Sequence, residues 1–294
     1  MGGPVIERAV PVGAALGECP VWSVAEACLY WVDIEGRSVH RYDPATGHDE
    51  SRSTPGRPGA VMLTTGSGRL LLAIEHRLAW VDWPSGTVDT WVDLEPPDTT
   101  NRLNDGRCDP VGRVWVGSIF ADISAEVCSG RLYRVDPDGT STVARSDIGV
   151  ANGLAFAPDG HTMYFADSPA RTVWAYDYDL DTGRPTRERI FFAFGDLPGK
   201  PDGACVDIDG GYWLACVYGG AVVRITPDGR VDRRIELPVS RPSRCTFGGA
   251  DLDVLYITSI GVDAVAHGDD PTLAGDVFAV TPGVTGLPEP VVAT

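Results

Sequence analysis

Apolar and polar residues alternate in short runs along this chain, and no segment sustains the 3.6-residue period of an amphipathic helix. The runs include Cys28-Leu-Tyr-Trp-Val-Asp33, Val114-Trp-Val-Gly-Ser118, Thr162-Met-Tyr-Phe-Ala-Asp167, Tyr212-Trp-Leu-Ala-Cys216 and Val254-Leu-Tyr-Ile-Thr-Ser259. They are rich in β-branched and aromatic residues and bounded by Gly, Asp or Pro, so they read as strands. A second phrase follows, an alternating apolar run closed by a turn, as in Leu132-Tyr-Arg-Val-Asp-Pro-Asp-Gly139 and Val222-Val-Arg-Ile-Thr-Pro-Asp-Gly229. It begins at Val39, Ala79, Leu132, Val173, Val222 and Val277, at intervals of 40, 53, 41, 49 and 55 residues, about 48 on average. A period of that length is one four-stranded propeller blade. Six copies predict an all-β, six-bladed β-propeller of four-stranded blades, with residues 1–294 forming one domain of about 24 short strands. The segment Val5-Ile-Glu-Arg-Ala-Val10 is expected to close the ring by joining the last blade.

Composition narrows the functional classes. The 35 Gly and 23 Pro suit many tight turns, such as Pro158-Asp159-Gly160. A formal charge of −17 argues against nucleic acid or an anionic membrane as partner, since both repel an acidic surface. No apolar run approaches the ~18 residues of a membrane span. The start lacks the basic and apolar regions of a secretory leader, so a cytoplasmic location is expected. Seven scattered Cys with no Cys-x-x-Cys pair read as reduced thiols rather than a zinc or disulfide scaffold.

In a propeller the innermost strand of each blade lines the central channel. The repeat places Glu18, Asn104, Asn152 and Asp202 at four of the six equivalent positions, and Arg244 at the sixth. Asp and Asn are depleted in strands, and a carboxylate facing an enclosed channel is costly unless paired or metal-bound. Oxygen donors converging on one axis make a hard-cation site, suited to Ca²⁺, Mg²⁺ or Mn²⁺. The competing reading is that Asn152-Gly153 and Asp202-Gly203 are turn dipeptides. Asp105 is assigned to its Asp-Gly turn rather than to a metal, and Arg244 either meets substrate or neutralises the ring of acids.

Leu16-Gly-Glu18-Cys-Pro-Val-Trp22, Asn101-Arg102-Leu-Asn104-Asp105-Gly106, Asn152-Gly-Leu-Ala-Phe-Ala-Pro-Asp-Gly160, Lys200-Pro-Asp202-Gly203 and Phe247-Gly-Gly-Ala-Asp-Leu-Asp-Val-Leu-Tyr-Ile-Thr-Ser259 together resemble the SMP-30/gluconolactonase/regucalcin-like family over essentially the whole chain. The resemblance implies one divalent metal in the channel and hydrolysis of sugar lactones. Glu18, Asn152 and Asp202 match the metal ligands, Arg102 and Asn104 the substrate-holding positions, and Asp202 also the general base. Ca²⁺ is the leading candidate ion, with Zn²⁺, Mn²⁺, Mg²⁺ or Fe²⁺ as alternatives. One departure concerns the loop after Gly117-Ser118, where some members carry an acidic substrate-binding residue. Here simple register puts Ala121 at that place, with Asp122 beside it, so sugar selectivity is expected to differ over Ile119–Gly130.

The chemistry is consistent with that implication. A divalent cation polarises a lactone carbonyl and lowers the pKa of bound water, and Asp202 is placed to orient or deprotonate the attacking water. No Gly-x-Ser-x-Gly elbow occurs, and the five His show no His-x-x-x-His pair, so a serine-triad hydrolase is poorly supported. Asp177 to Glu188 mimics the acid spacing of an EF-hand loop, but Pro185 intrudes and Gly183 is one place late, so a hairpin in blade four is expected. Two other functions stay open: a calcium-binding regulatory propeller without turnover, and a phosphotriesterase or other esterase on the same scaffold.

Overall fold

The computed structural model describes residues 5–66 and 68–293. Their 24 strands form six four-stranded sheets, and the sheets form a six-bladed β-propeller. Blades 1 to 5 each use four consecutive strands. Blade 6 takes Pro242–Gly248, Val254–Ser259 and Val277–Val280 from the end of the chain and Glu7–Val10 from its start. Glu7 lies opposite Ala279 and Arg8 opposite Phe278. Arg8 also pairs with buried Asp276 and donates from Nη2 to the Thr272 carbonyl at 2.6 Å. Backbone hydrogen bonds between two remote segments thus close the ring.

The innermost strands are Gly17–Ser23, Pro58–Leu63, Asn101–Cys108, Ala151–Phe156, Lys200–Val206 and Pro242–Gly248. Each contacts the next in cyclic order around the channel. Every residue of these strands is buried except Lys200. Because both faces are covered, polar and apolar residues need not alternate there. The outermost strands, such as Ser141–Ile148 and Val231–Glu236, are largely exposed and carry the charge. Trp31, Trp115 and Trp213, fully buried on the second strands of blades 1, 3 and 5, fill the layer between blades.

Two buried carboxylates lock the turns that follow inner strands. Asp207 accepts from the Asp209 and Gly211 amides (3.0 and 2.8 Å), from Trp213 Nε1 (2.7 Å) and from Arg224 Nε (2.6 Å). Asp109 accepts in the same way from the Val111 and Arg113 amides and from the Tyr178 hydroxyl. These acids are fully committed to architecture.

One irregularity recurs in all six inner strands. Between Glu18 and Val21, Pro58 and Ala60, Leu103 and Gly106, Asn152 and Ala155, Pro201 and Ala204, and Pro242 and Cys245, the register slips against the second strand. Each slip inserts one extra residue, a β-bulge that bends the strand and re-aims its side chains. All six begin within the first three residues of the strand, toward the same mouth of the channel.

Replacing Asp207 by Ala leaves Arg224, Trp213 and two turn amides without their acceptor. The expected cost is about 3–5 kcal/mol, read as a lowered urea midpoint of the full chain.

Candidate active site at one mouth of the channel

The lead-in to the inner strand is clamped in blades 1 and 4 by an Asp at the end of the second strand. Asp33 accepts from the Ala15 and Leu16 amides, both at 2.9 Å, and Asp167 from the Gly149 and Val150 amides at 3.0 and 2.9 Å. Three residues beyond Ala15 and Gly149 come Glu18 and Asn152, each the last paired residue before its bulge. These blades face each other across a six-membered ring. Asn104 and Asp202 sit one residue further on, as the first bulged residues of blades 3 and 5. The four donors are thus of two structural kinds, not one equivalent position. They line a single cavity of about 140 Å³, with Arg102 on its wall.

Hydrogen bonds orient the amides. The Ser168 hydroxyl donates to the Pro201 carbonyl at 2.6 Å, so its oxygen can only accept from Asn152 Nδ2 at 2.9 Å. That turns Asn152 Oδ1 away from Ser168, within 3.4 Å of Asn104 Nδ2. Asn104 Nδ2 also donates to the Ala151 carbonyl (3.0 Å), and its Oδ1 accepts from Arg102 Nη1 at 2.8 Å. Arg102 is buried, and among the described residues no carboxylate pairs with it. Burial and the Arg57 charge lower its pKa to about 10, and its Nε has no protein acceptor. It is a buried cation without a counter-ion.

The carboxylates are in the converse position. Among the described residues Glu18 accepts only from the Cys19 amide, at 2.7 Å. Burial, with the Asp105 charge, pushes its pKa up to about 7. Burial and the Glu18 charge push the Asp202 carboxyl well above the usual carboxylate range. Arg244 opposes both shifts from beneath. Two buried acids without a direct cation, beside an amide oxygen, form a donor set of the hard, oxygen-only type that divalent cations select. Among the described residues no three His, Cys, Asp or Glu side chains gather closely enough to hold a metal, so the amide is needed to complete such a set.

The structure corrects one sequence expectation, that for Asp105, and decides two points left open, the role of Arg244 and the competing turn reading of two dipeptides. Asp105 does not serve a turn; it is buried in the channel, ion-paired with Arg244, and accepts from the Leu154 amide at 3.1 Å. Arg244 does not reach the cavity. Fully buried, it pairs with Asp105 from the equivalent bulge position of the opposite blade and donates to the Gly106 carbonyl at 3.3 Å. Asn152-Gly153 and Asp202-Gly203 are bulges inside strands rather than turns. Gly153 has φ +64°, and a Cβ on Gly203 would overlap the Arg244 side chain.

Other expectations resolve by contact. At the loop after Ser118, Ala121 donates its amide to the Thr100 carbonyl, and Ile123, in a short 3₁₀ turn, lines the cavity where an acid was considered. Asp177 to Glu188 is a hairpin between Thr172–Asp179 and Arg184–Ala193, with Asp179 engaged by turn amides, Asp177 by Arg187 and Arg189, and Glu188 by Arg145. His40 is buried against Trp31 and bonded to Asp49 at 2.7 Å. All seven Cys are free thiols. Sequence reasoning missed Ser168, Asp33 and Asp167, although an Asp ending the second strand at matching places in blades 1 and 4 was a readable signal. The opposite mouth holds a larger cavity of about 690 Å³, lined by Arg107, Phe156, Phe247 and the segment Leu287–Ala293, without convergent carboxylates.

A six-bladed propeller with oxygen donors and a buried arginine gathered at one channel mouth has the architecture of a small-molecule site. The chain belongs to the family described as SMP-30/gluconolactonase/LRE-like, whose model matches residues 16–261. It is 38% identical to pentonolactonase XacC of Haloferax volcanii, covering 97% of each chain. It is likewise 38% identical to 6-deoxy-6-sulfogluconolactonase of Pseudomonas putida, over 95% of this chain and 96% of the relative. Among solved structures, a calcium-binding protein, regucalcin, from Agrobacterium tumefaciens superimposes with a TM-score of 0.92 at 29% identity, over 100% of this chain and 98% of that one.

Glu18 has a pKa of about 7 in the fold against 4.5 ordinarily. Between these values the unfolded chain releases the proton that the fold retains, so stability falls as pH rises through that window. With divalent cations chelated, thermal unfolding is expected at lower temperature at pH 7.5 than at pH 5, and Glu18→Gln should flatten this dependence.

Proposed function

We propose that the protein hydrolyses sugar lactones to aldonic acids, using one divalent cation held by Glu18, Asn152 and Asp202. The observation that carries this reading is the convergence of two uncompensated buried carboxylates and an oriented amide oxygen beside a buried arginine that lacks a counter-ion. Two relatives that match nearly the whole chain are named as lactonases, and a close structural neighbour as a calcium-binding protein. Ca²⁺ leads on donor type, with Mn²⁺, Mg²⁺, Zn²⁺ and Fe²⁺ as alternatives.

When bound, the cation polarises the carbonyl and favours ionised carboxylates around it. Asp202 takes a proton from water as the water oxygen bonds to the lactone carbonyl carbon. The ring carbon–oxygen bond then breaks, and the proton passes to the departing alkoxide. The products are a hydroxyl and a carboxylic acid on one open chain, and at neutral pH the acid releases the second proton of the water to solvent, leaving a carboxylate. Arg102 offers its unmet donors to the ester oxygens, while its bond to Asn104 fixes the guanidinium plane. Asn104 spans Arg102 and Asn152, tying the substrate wall to the donor set.

A regulatory calcium-binding propeller without turnover has no use for a buried, unpaired arginine facing the site. Phosphotriester or other ester hydrolysis stays available to the same groups, and substrate size argues against it. At about 140 Å³ the cavity is small beside the roughly 300–1,000 Å³ of common ligand clefts.

A pH-indicator assay over five- and six-carbon aldonolactones should show ring opening by metal-loaded protein and none after chelation, with Ca²⁺, Mg²⁺, Mn²⁺, Zn²⁺ and Fe²⁺ restored separately. Asp202→Ala is expected to lower kcat by about 10³-fold or more; wild-type turnover in that variant would overturn the mechanism. Arg102→Met should act chiefly by raising KM.

A further inference from the structure

The two lactonase relatives are named for substrates of different charge, a pentonolactone and a sulfonated gluconolactone, at the same identity to this chain. Charge preference must therefore be read from this chain's own residues. Its 24 basic residues are 23 arginines and one lysine, Lys200. Arginine is the structural cation of the fold: Arg171, for instance, clamps the Gly195, Leu197 and Gly199 carbonyls. Lys200 does nothing comparable. It is the one exposed residue of the inner strands, lines the rim of the 140 Å³ cavity, and has no ion-pair partner among the described residues although the protein carries 41 acids.

Several other lining residues are apolar, Ile123, Val150, Val217 and Ile260 among them, and Tyr218 follows Val217, which lies opposite Lys200 across the strand pair. A cavity this small takes a lactone ring, and the substituent remote from the ring ester must project past that rim. There it meets an ammonium, a mobile point charge with three donors. Among the described residues Arg102 is the only other basic one lining the cavity. In a molecule of net charge −17, which repels anions at long range, an unpaired cation at the mouth supplies local attraction.

We infer that Lys200 is a specificity residue for sugar lactones bearing an anionic group, a carboxylate, sulfonate or phosphate, at the end remote from the ring ester. This rests on the lactonase reading above and names its substrate class. The test compares kcat/KM for neutral galactono-1,4-lactone with that for two anionic probes, saccharic acid 1,4-lactone and 6-phosphogluconolactone. At least one anionic lactone should be preferred by the wild type, and which one identifies the anionic group. Lys200→Met should lower the anionic-to-neutral ratio at least about fivefold, equivalent to about 1 kcal/mol, mainly through KM, and Lys200→Arg should restore most of it. A ratio unmoved in Lys200→Met, including a parallel fall for all lactones, overturns the assignment.

Reductive methylation with carbon-13 formaldehyde provides a readout independent of turnover, because it yields one lysine signal besides the terminal amine. In the slow Asp202→Asn variant, that signal should shift with anionic lactone and not with neutral lactone; a signal indifferent to both rejects the role of Lys200. If the wild type opens none of the lactones, the lactonase reading fails, while the carbon-13 signal still reports whether Lys200 meets the anionic group.

Discussion

Arg244 crosses the channel to Asp105, and the site is built on that contact. Both side chains are essentially inaccessible to water, and they come from equivalent bulge positions in opposed blades. A buried pair of this kind is costly to assemble and more costly to break. It closes the channel beneath Glu18 and Asp202, so those acids face only the upper mouth. The guanidinium already has Asp105 as its partner, and it offsets the burial of the two upper acids only in part. A second cation is what they lack.

The six bulges turn a repeated strand into a convergent site. A regular strand sends successive side chains to opposite faces, which would allow each blade one channel-facing residue in this short segment. An inserted residue breaks the alternation. Blade 3 can then present both Asn104 to the cavity and Asp105 to the channel below. In blade 5, Gly203 leaves the space that the Arg244 side chain occupies. The architecture thus separates a neutralised lower layer from an upper layer whose carboxylates line an open cavity without an ion-pair partner among the described residues.

Much of this was legible in the chain. Glu18, Asn104, Asn152 and Asp202 stood out because polar residues open strands that otherwise read as core, and the structure brings all four into one cavity with Arg102. Asp105 was misread because Asp-Gly is a common turn signal, whereas here Gly106 is paired with Val116 inside the strand and packs close to the Trp115 carbonyl. Arg244 was ambiguous because its partner lies 139 residues away in sequence. Ser168 carried no local signal at all, since its role is to force the orientation of an amide on a neighbouring strand.

The sequence by itself determined the six-fold repeat, the four-stranded blade and the residue types at the channel mouth. These follow from period and composition, which are properties of neighbours along the chain. Tertiary structure alone decided which acids are neutralised and which are not. Asp109 and Asp207 are held by turn amides and by Arg113 and Arg224, Asp105 by Arg244, and Glu18 and Asp202 by no ion-paired cation among the described residues. Charge compensation acts through space over a few ångströms, and ring closure brings together groups from blades that the chain keeps far apart.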